Sequence, residues 1–253
     1  MRARAVSGGL AWVTGAGSGI GRAVAVALAG AGWRLALTGR REEALRETAA
    51  MLGGAAALVL PADLTDAAAV EAAVARLPES PALLVNNAGA NTPRRHWHQL
   101  SAADARGLVD ANLTAPFLTS LAVLPGMRAR GGGLIVQIAS VAGKGASAVS
   151  GPAYIAAKSG FVALSASLNA ENGIHGIRST CICPGEVATP ILDLRPQPPT
   201  AEDRARMLQP EDVAAAVLFV ANLPAHVCLN EIVITPTFNR DQAPAAQAVS
   251  KLP

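Results

Sequence analysis

Tyr154 is the only tyrosine among 253 residues, and Lys158 is one of three lysines in a chain with 18 arginines. The two lie four positions apart, and on a helix residues i and i+4 share a face. A phenol with a pKa near 10 is a sluggish acid or base at neutral pH. A cation beside it stabilises the phenolate and makes the proton available for catalysis. Pro152 just ahead reads as a helix start, which places Tyr154 in the first turn. The plainer alternative is an amphipathic pair on a packed helix. Ser140, a hydroxyl on the loop after an upstream strand, favours the chemical reading.

A second constellation lies near the N-terminus. "LAWVTGAGSGIGRAVAVAL" reads as a strand, a turn carrying Gly15, Gly17, Gly19 and Gly21, then a helix. A turn this tight lets backbone N–H groups at a helix N-terminus face a pyrophosphate, and side chains would block the approach. A glycine-rich turn alone could be purely structural. Placed between a first strand and a helix, it points to dinucleotide binding.

The elements that would hold these groups follow from the apolar pattern. Strands are expected over residues 10–14, 33–38, 56–60, 83–86, 134–139, 177–183 and 231–235. Several are continuous apolar runs, as expected for strands covered on both faces. Helices are expected over residues 20–31, 42–52, 67–76, 102–130, 152–171 and 210–222. The alternation predicts one α/β domain over residues 1–253. Its core is a doubly wound, Rossmann-type parallel sheet of about seven strands with helices on both faces. Residues 191–208 are expected to form a small loop, Pro-rich in its middle. The tail after residue 236 has no core pattern and is expected to wrap the surface or fray.

Composition narrows the function. Hydrophobic residues make up 51%, charged 15% and aromatic only 3%, with a net charge of +3. The arginines are scattered, so neither a nucleic-acid footprint nor a base-stacking surface is expected. Cys181 and Cys183, i and i+2 on a strand, would lie about 6.6 Å apart, which suits buried free thiols better than a disulfide. His96 and His98 have no carboxylate or cysteine near them in sequence, so no metal site is expected. With no signal peptide and no apolar run long enough to span a bilayer, a soluble cytoplasmic protein is expected.

The chain resembles the short-chain dehydrogenase/reductase family over about residues 9–238. The resemblance rests on "TGAGSGIG" (14–21), "DL" (63–64), "NNAG" (86–89), "NL" (112–113), "IASVAG" with Ser140, "YIAAK" (154–158) and "PGEVATP" (184–190). It implies a carbonyl–alcohol oxidoreductase using a nicotinamide dinucleotide. Tyr154 is then the acid/base. Lys158 lowers its pKa and binds the nicotinamide ribose. Ser140 holds the substrate oxygen, and Asn112 keeps a water-linked proton path to Lys158. The resemblance also implies cofactor contacts from Gly15, Gly17, Ser18, Gly19, Ile20 and Gly21, from Asp63 and Leu64, and from Asn87, Ala88 and Gly89. Pro184, Gly185, Val187 and Thr189 would meet the nicotinamide end. Read without the family, Asn112 could simply bend or cap its helix, and Asp63 could cap one. Relatives assemble through two of the helices, so a homotetramer, or failing that a dimer, is expected.

The second strand ends in Gly39-Arg40-Arg41 where an NAD enzyme would usually place an acid. A guanidinium can hold a 2′-phosphate in a forked pair of hydrogen bonds, so NADP(H) is expected over NAD(H). The alternative is a solvated helix start, with Glu42 and Glu43 pairing with the arginines. Around the substrate, Leu192, Leu194 and Met207 offer apolar lining. Arg94, Arg95 and Arg195 are possible carboxylate or phosphate partners. The C-terminal region looks most like the branch acting on small oxo and 3-hydroxy acids. A 3-oxoacyl-carrier-protein reductase using Arg128 and Arg130 for its acidic partner is an alternative, as is a catalytically silent dinucleotide-binding regulator or scaffold.

Overall fold

The computed structural model describes residues 8–55, 57–145 and 149–240. Seven strands form one parallel sheet: β1 (Leu10–Thr14), β2 (Arg34–Gly39), β3 (Ala57–Pro61), β4 (Leu83–Asn86), β5 (Gly133–Ile138), β6 (Ile177–Pro184) and β7 (Glu231–Ile234). Their order is β3-β2-β1-β4-β5-β6-β7. The expected seven-stranded doubly wound sheet is therefore present. Its ends differ from expectation by a residue or so, as strand ends commonly do. The expected start of β3 at residue 56 lies outside the described residues.

Side chains on a strand alternate between faces, and here both faces are dry. Ala11, Val13, Leu35, Leu37, Leu83 and Val85 pack on one side against α1 (Gly19–Gly30) and the neighbouring α2 (Glu42–Ala50). Leu10, Trp12, Ala36, Leu84 and Ile135 face α3 (Ala67–Ala75) on the other. That double burial is why the strand sequences read as unbroken apolar runs.

The run expected as one helix over 102–130 is α4 (Ala102–Val109), a π-helical turn (Asp110–Thr114) and α5 (Ala115–Arg130). A π turn admits one extra residue per turn and often marks a functional position. This 29-residue helical run is long and apolar enough to cross a bilayer, contrary to the expectation that none exists. Here its apolar face is used within the fold, with Val123, Leu124 and Met127 buried against the sheet.

The remaining helices are α6 (Pro152–Asn172), α7 (Ala201–Arg206) and α8 (Pro210–Ala221), which packs beside α1. The Pro-rich loop is more regular than its composition suggested. A 3-10 turn (Pro190–Leu194) leads to α7, whose start is fixed by a reciprocal Thr200–Asp203 capping box. The tail is held as far as residue 240, where Arg240 pairs with Glu186 and Asp203. The rest of the tail and residues 146–148 of the substrate region lie outside the described residues.

Candidate active site

Strand order reverses between β1 and β4, and ligands of open α/β sheets bind in the crevice at that switch point. The loops leaving the two strands are locked together there. Thr14 Oγ1 accepts from the N–H groups of Asn87 (2.9 Å) and Ala88 (3.0 Å), and Asn87 Nδ2 donates to the carbonyls of Thr14 and Gly15. A Cβ on Gly21 would stand 2.2 Å from Gly15 O and 2.5 Å from Asn87 Nδ2. Gly15 and Gly19 have φ of 62° and 51°, which glycine adopts without strain. Ser18 precedes α1 without a side-chain cap, so the first-turn N–H groups keep the capacity to meet an anion. These features fit a pyrophosphate. Gly19, Gly21 and Asn87 shape the cradle, while Gly15, Gly17, Ser18, Ala88 and Gly89 line it.

That cleft, about 710 Å³, runs on past Gly39, Arg40, Arg41, Asp63 and Leu64. The pairing with Glu42 that would have tied up the arginines does not occur: Glu42 bonds to Arg46 instead. Arg40 and Arg41 are exposed on the cleft wall with no ion pair among the described residues. Asp63 does not cap α3, a role taken by Asp66. Its Oδ1 accepts from the Thr65 N–H and hydroxyl. Those bonds hold its carboxyl below the usual value, with the Arg40 charge adding to them.

A second cavity, about 450 Å³, lies beyond Ile20 and Thr189. Ser140, Tyr154, Pro184, Gly185 and Val187 line it together. Ser140 leaves β5 in extended backbone and its Oγ accepts from Ala142 N at 3.1 Å. Tyr154 sits in the first turn of α6, as expected from Pro152. Burial raises the phenol pKa, while a hydrogen bond with Ser140 and the charges of Arg95 and Arg195 pull it down. Lys158 is buried one turn further along α6. Its Nζ donates to Ile138 O at 3.0 Å and lies over the Phe161 ring at 5.0 Å. Burial lowers its pKa to about 8. Beside Lys158, whose Nζ lies 5.7 Å from the ring centre, two arginines that the sequence reading did not assign to this role act on the phenol.

Asn112 is fully buried in the π turn. Its Nδ2 donates to Leu108 O and Ala90 O, both at 2.8 Å, and its Oδ1 accepts from Ala90 N at 3.3 Å. The extra residue of the π turn brings this amide to the chain leaving β4. Gly89 makes room for it, since a Cβ there would stand 2.7 Å from Asn112 Oδ1 and 3.7 Å from Lys158 Nζ.

The substrate side differs from the sequence reading in several places. Leu192 lines the cavity, but Met207 is in the core and Leu194 is exposed away from it. Ile191, Val141 and Val149 take their place, and Glu186, which the sequence did not single out, also lines it. Arg94 is exposed on Asp104, whereas Arg95 and Arg195 line the cavity. Burial works against the Glu186 carboxylate, yet Arg240 and Arg195 hold its carboxyl below the usual range. Arg128 and Arg130 bond to Asn172 and to the carbonyls of Ser80, Pro81 and Gly132. Those carbonyls precede β4 and β5, so Arg130 lies at the N-terminal ends of these central strands, away from the cavity. Arg128 and Arg130 therefore do not supply a basic patch for an acidic carrier protein beside the site. His96 and His98 stack on each other, 6.0 Å between ring centres.

Comparison with known proteins agrees with this geometry. A family described as short chain dehydrogenase matches residues 10–198. Sulfoacetaldehyde reductase 2 of Chromohalobacter salexigens is 35% identical over 239 residues, covering 89% of this chain and 93% of the relative. Glycine betaine reductase of Emericella nidulans is 35% identical over 91% of this chain, which spans only 19% of that much longer protein. A serine dehydrogenase solved in its closed form with NADP+ superposes with a TM-score of 0.83 at 33% identity, over 90% of this chain and 94% of that one. A match across most of the sheet, and a relative similar nearly end to end, show that the chain belongs to the short-chain dehydrogenase/reductase family and is an oxidoreductase.

Proposed function

We propose that the protein is an NADP(H)-dependent reductase of small oxo compounds, with Tyr154 as the proton donor. The observation that carries this reading is the placement of the Tyr154 phenol. It lines one cavity with Ser140, and Ile20, next to the glycine turn, lines the same cavity. A nicotinamide dinucleotide supplies the hydride when bound. Gly15, Gly17 and Ser18 would hold its pyrophosphate, and Asp63 and Leu64 its adenosine. Arg40 and Arg41 would hold a 2′-phosphate, which makes NADP(H) the preferred cofactor over NAD(H).

Ser140 positions the carbonyl oxygen. Tyr154 Oη gives its proton to that oxygen as the carbon takes the hydride. Burial keeps the resting phenol protonated at neutral pH, which suits reduction, and the nearby arginines ease formation of the phenolate. Lys158 and Asn112 hold the floor of the site through the carbonyls of Ile138 and Ala90. The names of the sulfoacetaldehyde and serine relatives support a small oxo or hydroxy compound as substrate. Arg128 and Arg130, the cations suggested for a carrier protein, lie away from the cavity, and a silent scaffold does not account for Ser140 and Tyr154 lining one cavity.

The protein acts as one domain, and three unpaired cysteines suit a cytoplasmic setting. Phe117 and Leu121 are exposed on α5, which supports assembly into a tetramer through that helix. The test of function is kcat/KM for a carbonyl panel with each cofactor. Absence of turnover with every compound, while NADPH binds, would return the scaffold reading. Light scattering tests the assembly, and a monomer at micromolar concentration would remove it.

A further inference from the structure

Arg95 is a charged side chain that is 3% exposed and has no carboxylate partner among the described residues. Buried charges are normally paired or converted to neutral forms, and a guanidinium cannot lose its proton at ordinary pH. Its Nε donates to Thr92 O at 2.8 Å and its Nη2 to Leu194 O at 2.7 Å. Both acceptors are neutral carbonyls, so the charge stays uncompensated. The two bonds tie the chain after β4 to the 3-10 turn beyond β6 and hold the guanidinium in one place.

The position of Arg95 is built into the approach to the catalytic helix. Gly151, with φ of 82°, immediately precedes α6, and a Cβ there would stand 2.5 Å from Arg95 O and 2.9 Å from Arg95 Cβ. Only glycine lets the two segments touch. Arg95 therefore lines the same cavity as Ser140 and Tyr154, close enough for its charge to pull on the phenol. The other candidate cations are engaged. Arg94 pairs with Asp104, Arg195 with Glu186 and Lys144 with Glu231. Glu186, the sole carboxylate among the described lining residues, is already shared by Arg195 and Arg240.

Resting on the reductase reading above, we infer that Arg95 is an anion subsite: the substrate is a small oxo compound bearing a carboxylate or sulfonate, which Arg95 binds while the carbonyl meets Ser140 and Tyr154. The anion supplies the charge the fold omits, and binding it fixes which end of the molecule faces Tyr154. A charge-assisted bond in a shielded site is worth roughly 10- to 100-fold in specificity over an uncharged analogue.

The test compares 3-oxobutanoate with methyl 3-oxobutanoate, and 2-oxoethanesulfonate with propanal, all with NADPH. The wild type should prefer the charged member of at least one pair by about tenfold or more, mostly through KM. Arg95→Met should bring that ratio near one, and Arg95→Lys should recover part of it. The ratio isolates charge even if loosening of the loop slows both substrates, and thermal melting confirms that each variant is folded. Equal use of both members in every pair, or a ratio unmoved by Arg95→Met, overturns the anion subsite while leaving the reductase reading intact. If no carbonyl is turned over, that reading fails instead. Calorimetry with 3-hydroxybutanoate and 2-hydroxyethanesulfonate then decides the subsite alone: binding that is lost in Arg95→Met upholds it, and no binding by the wild type removes it.

Discussion

Lys158 stands one turn from Tyr154 on α6, its Nζ 5.7 Å from the phenol ring centre, and donates to Ile138 O. The pair is close enough to matter to each other but not directly bonded. Lys158 is anchored to the end of β5, the same strand that delivers Ser140, so the lysine ties the catalytic helix to the strand carrying its partner.

Tyr154→Phe should remove the proton donor and leave the packing of α6 in place. The expected loss in kcat is about 10²–10⁴. NADPH affinity, followed by fluorescence titration, should change little. Retention of more than about a tenth of the wild-type kcat would assign the proton to another group.

Lys158→Met should cost activity and raise stability. The lysine pKa falls from 10.5 to about 8 on burial. Between those values the unfolded chain binds more protons than the folded one, so wild-type stability rises with pH across that window and the full penalty applies below pH 8. A shift of that size is worth about 3 kcal/mol, offset in part by the bond to Ile138, which contributes about 1 kcal/mol. The methionine variant should therefore be more stable by about 1–2 kcal/mol at pH 7. Its advantage should shrink as pH climbs towards 10.5, as read from urea titrations at several pH values. A variant less stable at pH 7 than at pH 10, relative to wild type, would contradict the assignment.

Cofactor choice rests on Arg40 and Arg41. A charge-assisted contact of about 1.5–3 kcal/mol gives a preference for NADPH over NADH of roughly 10–150-fold in kcat/KM. Arg40→Ala should erase most of it, and the effect should weaken with salt. Gly39→Asp with Arg40→Leu should reverse it. The backbone allows that change, since a Cβ on Gly39 meets only Leu45 side-chain atoms, the nearest at 3.5 Å. An unchanged ratio in Arg40→Ala would reduce the arginines to a solvated helix start.

Two glycines of α1 should respond oppositely to alanine. At Gly21 the added methyl meets backbone at 2.2 Å, so Gly21→Ala should lose about 1–3 kcal/mol or more and NADPH binding with it. At Gly30 nothing lies within 4 Å, so Gly30→Ala should be neutral or gain about 0.5–1 kcal/mol. Chemical denaturation of the two variants side by side measures both signs.

The sheet, the helices on its two faces and the one-turn spacing of Tyr154 and Lys158 on a helix were legible from the chain alone. Strands buried on both faces must be apolar throughout, and a helix that presents two groups to one site must space them by a turn. The glycine turn was legible for the same reason, since close backbone approach excludes side chains whatever the rest of the fold does. What spacing does not carry is the fate of neighbours whose partners come from distant segments. Arg94 and Arg95 are adjacent in sequence, yet one lies in solvent on Asp104 and the other is sealed into the cavity between Thr92, Leu194 and Gly151. The Asn112 π turn was read as plain helix, because its extra residue is stabilised by Ala90 on another loop rather than by any local pattern. Which cation acts on the Tyr154 phenol was likewise decided by tertiary structure. The two arginines reach it from segments far away in the chain, while Lys158 stands beside its ring.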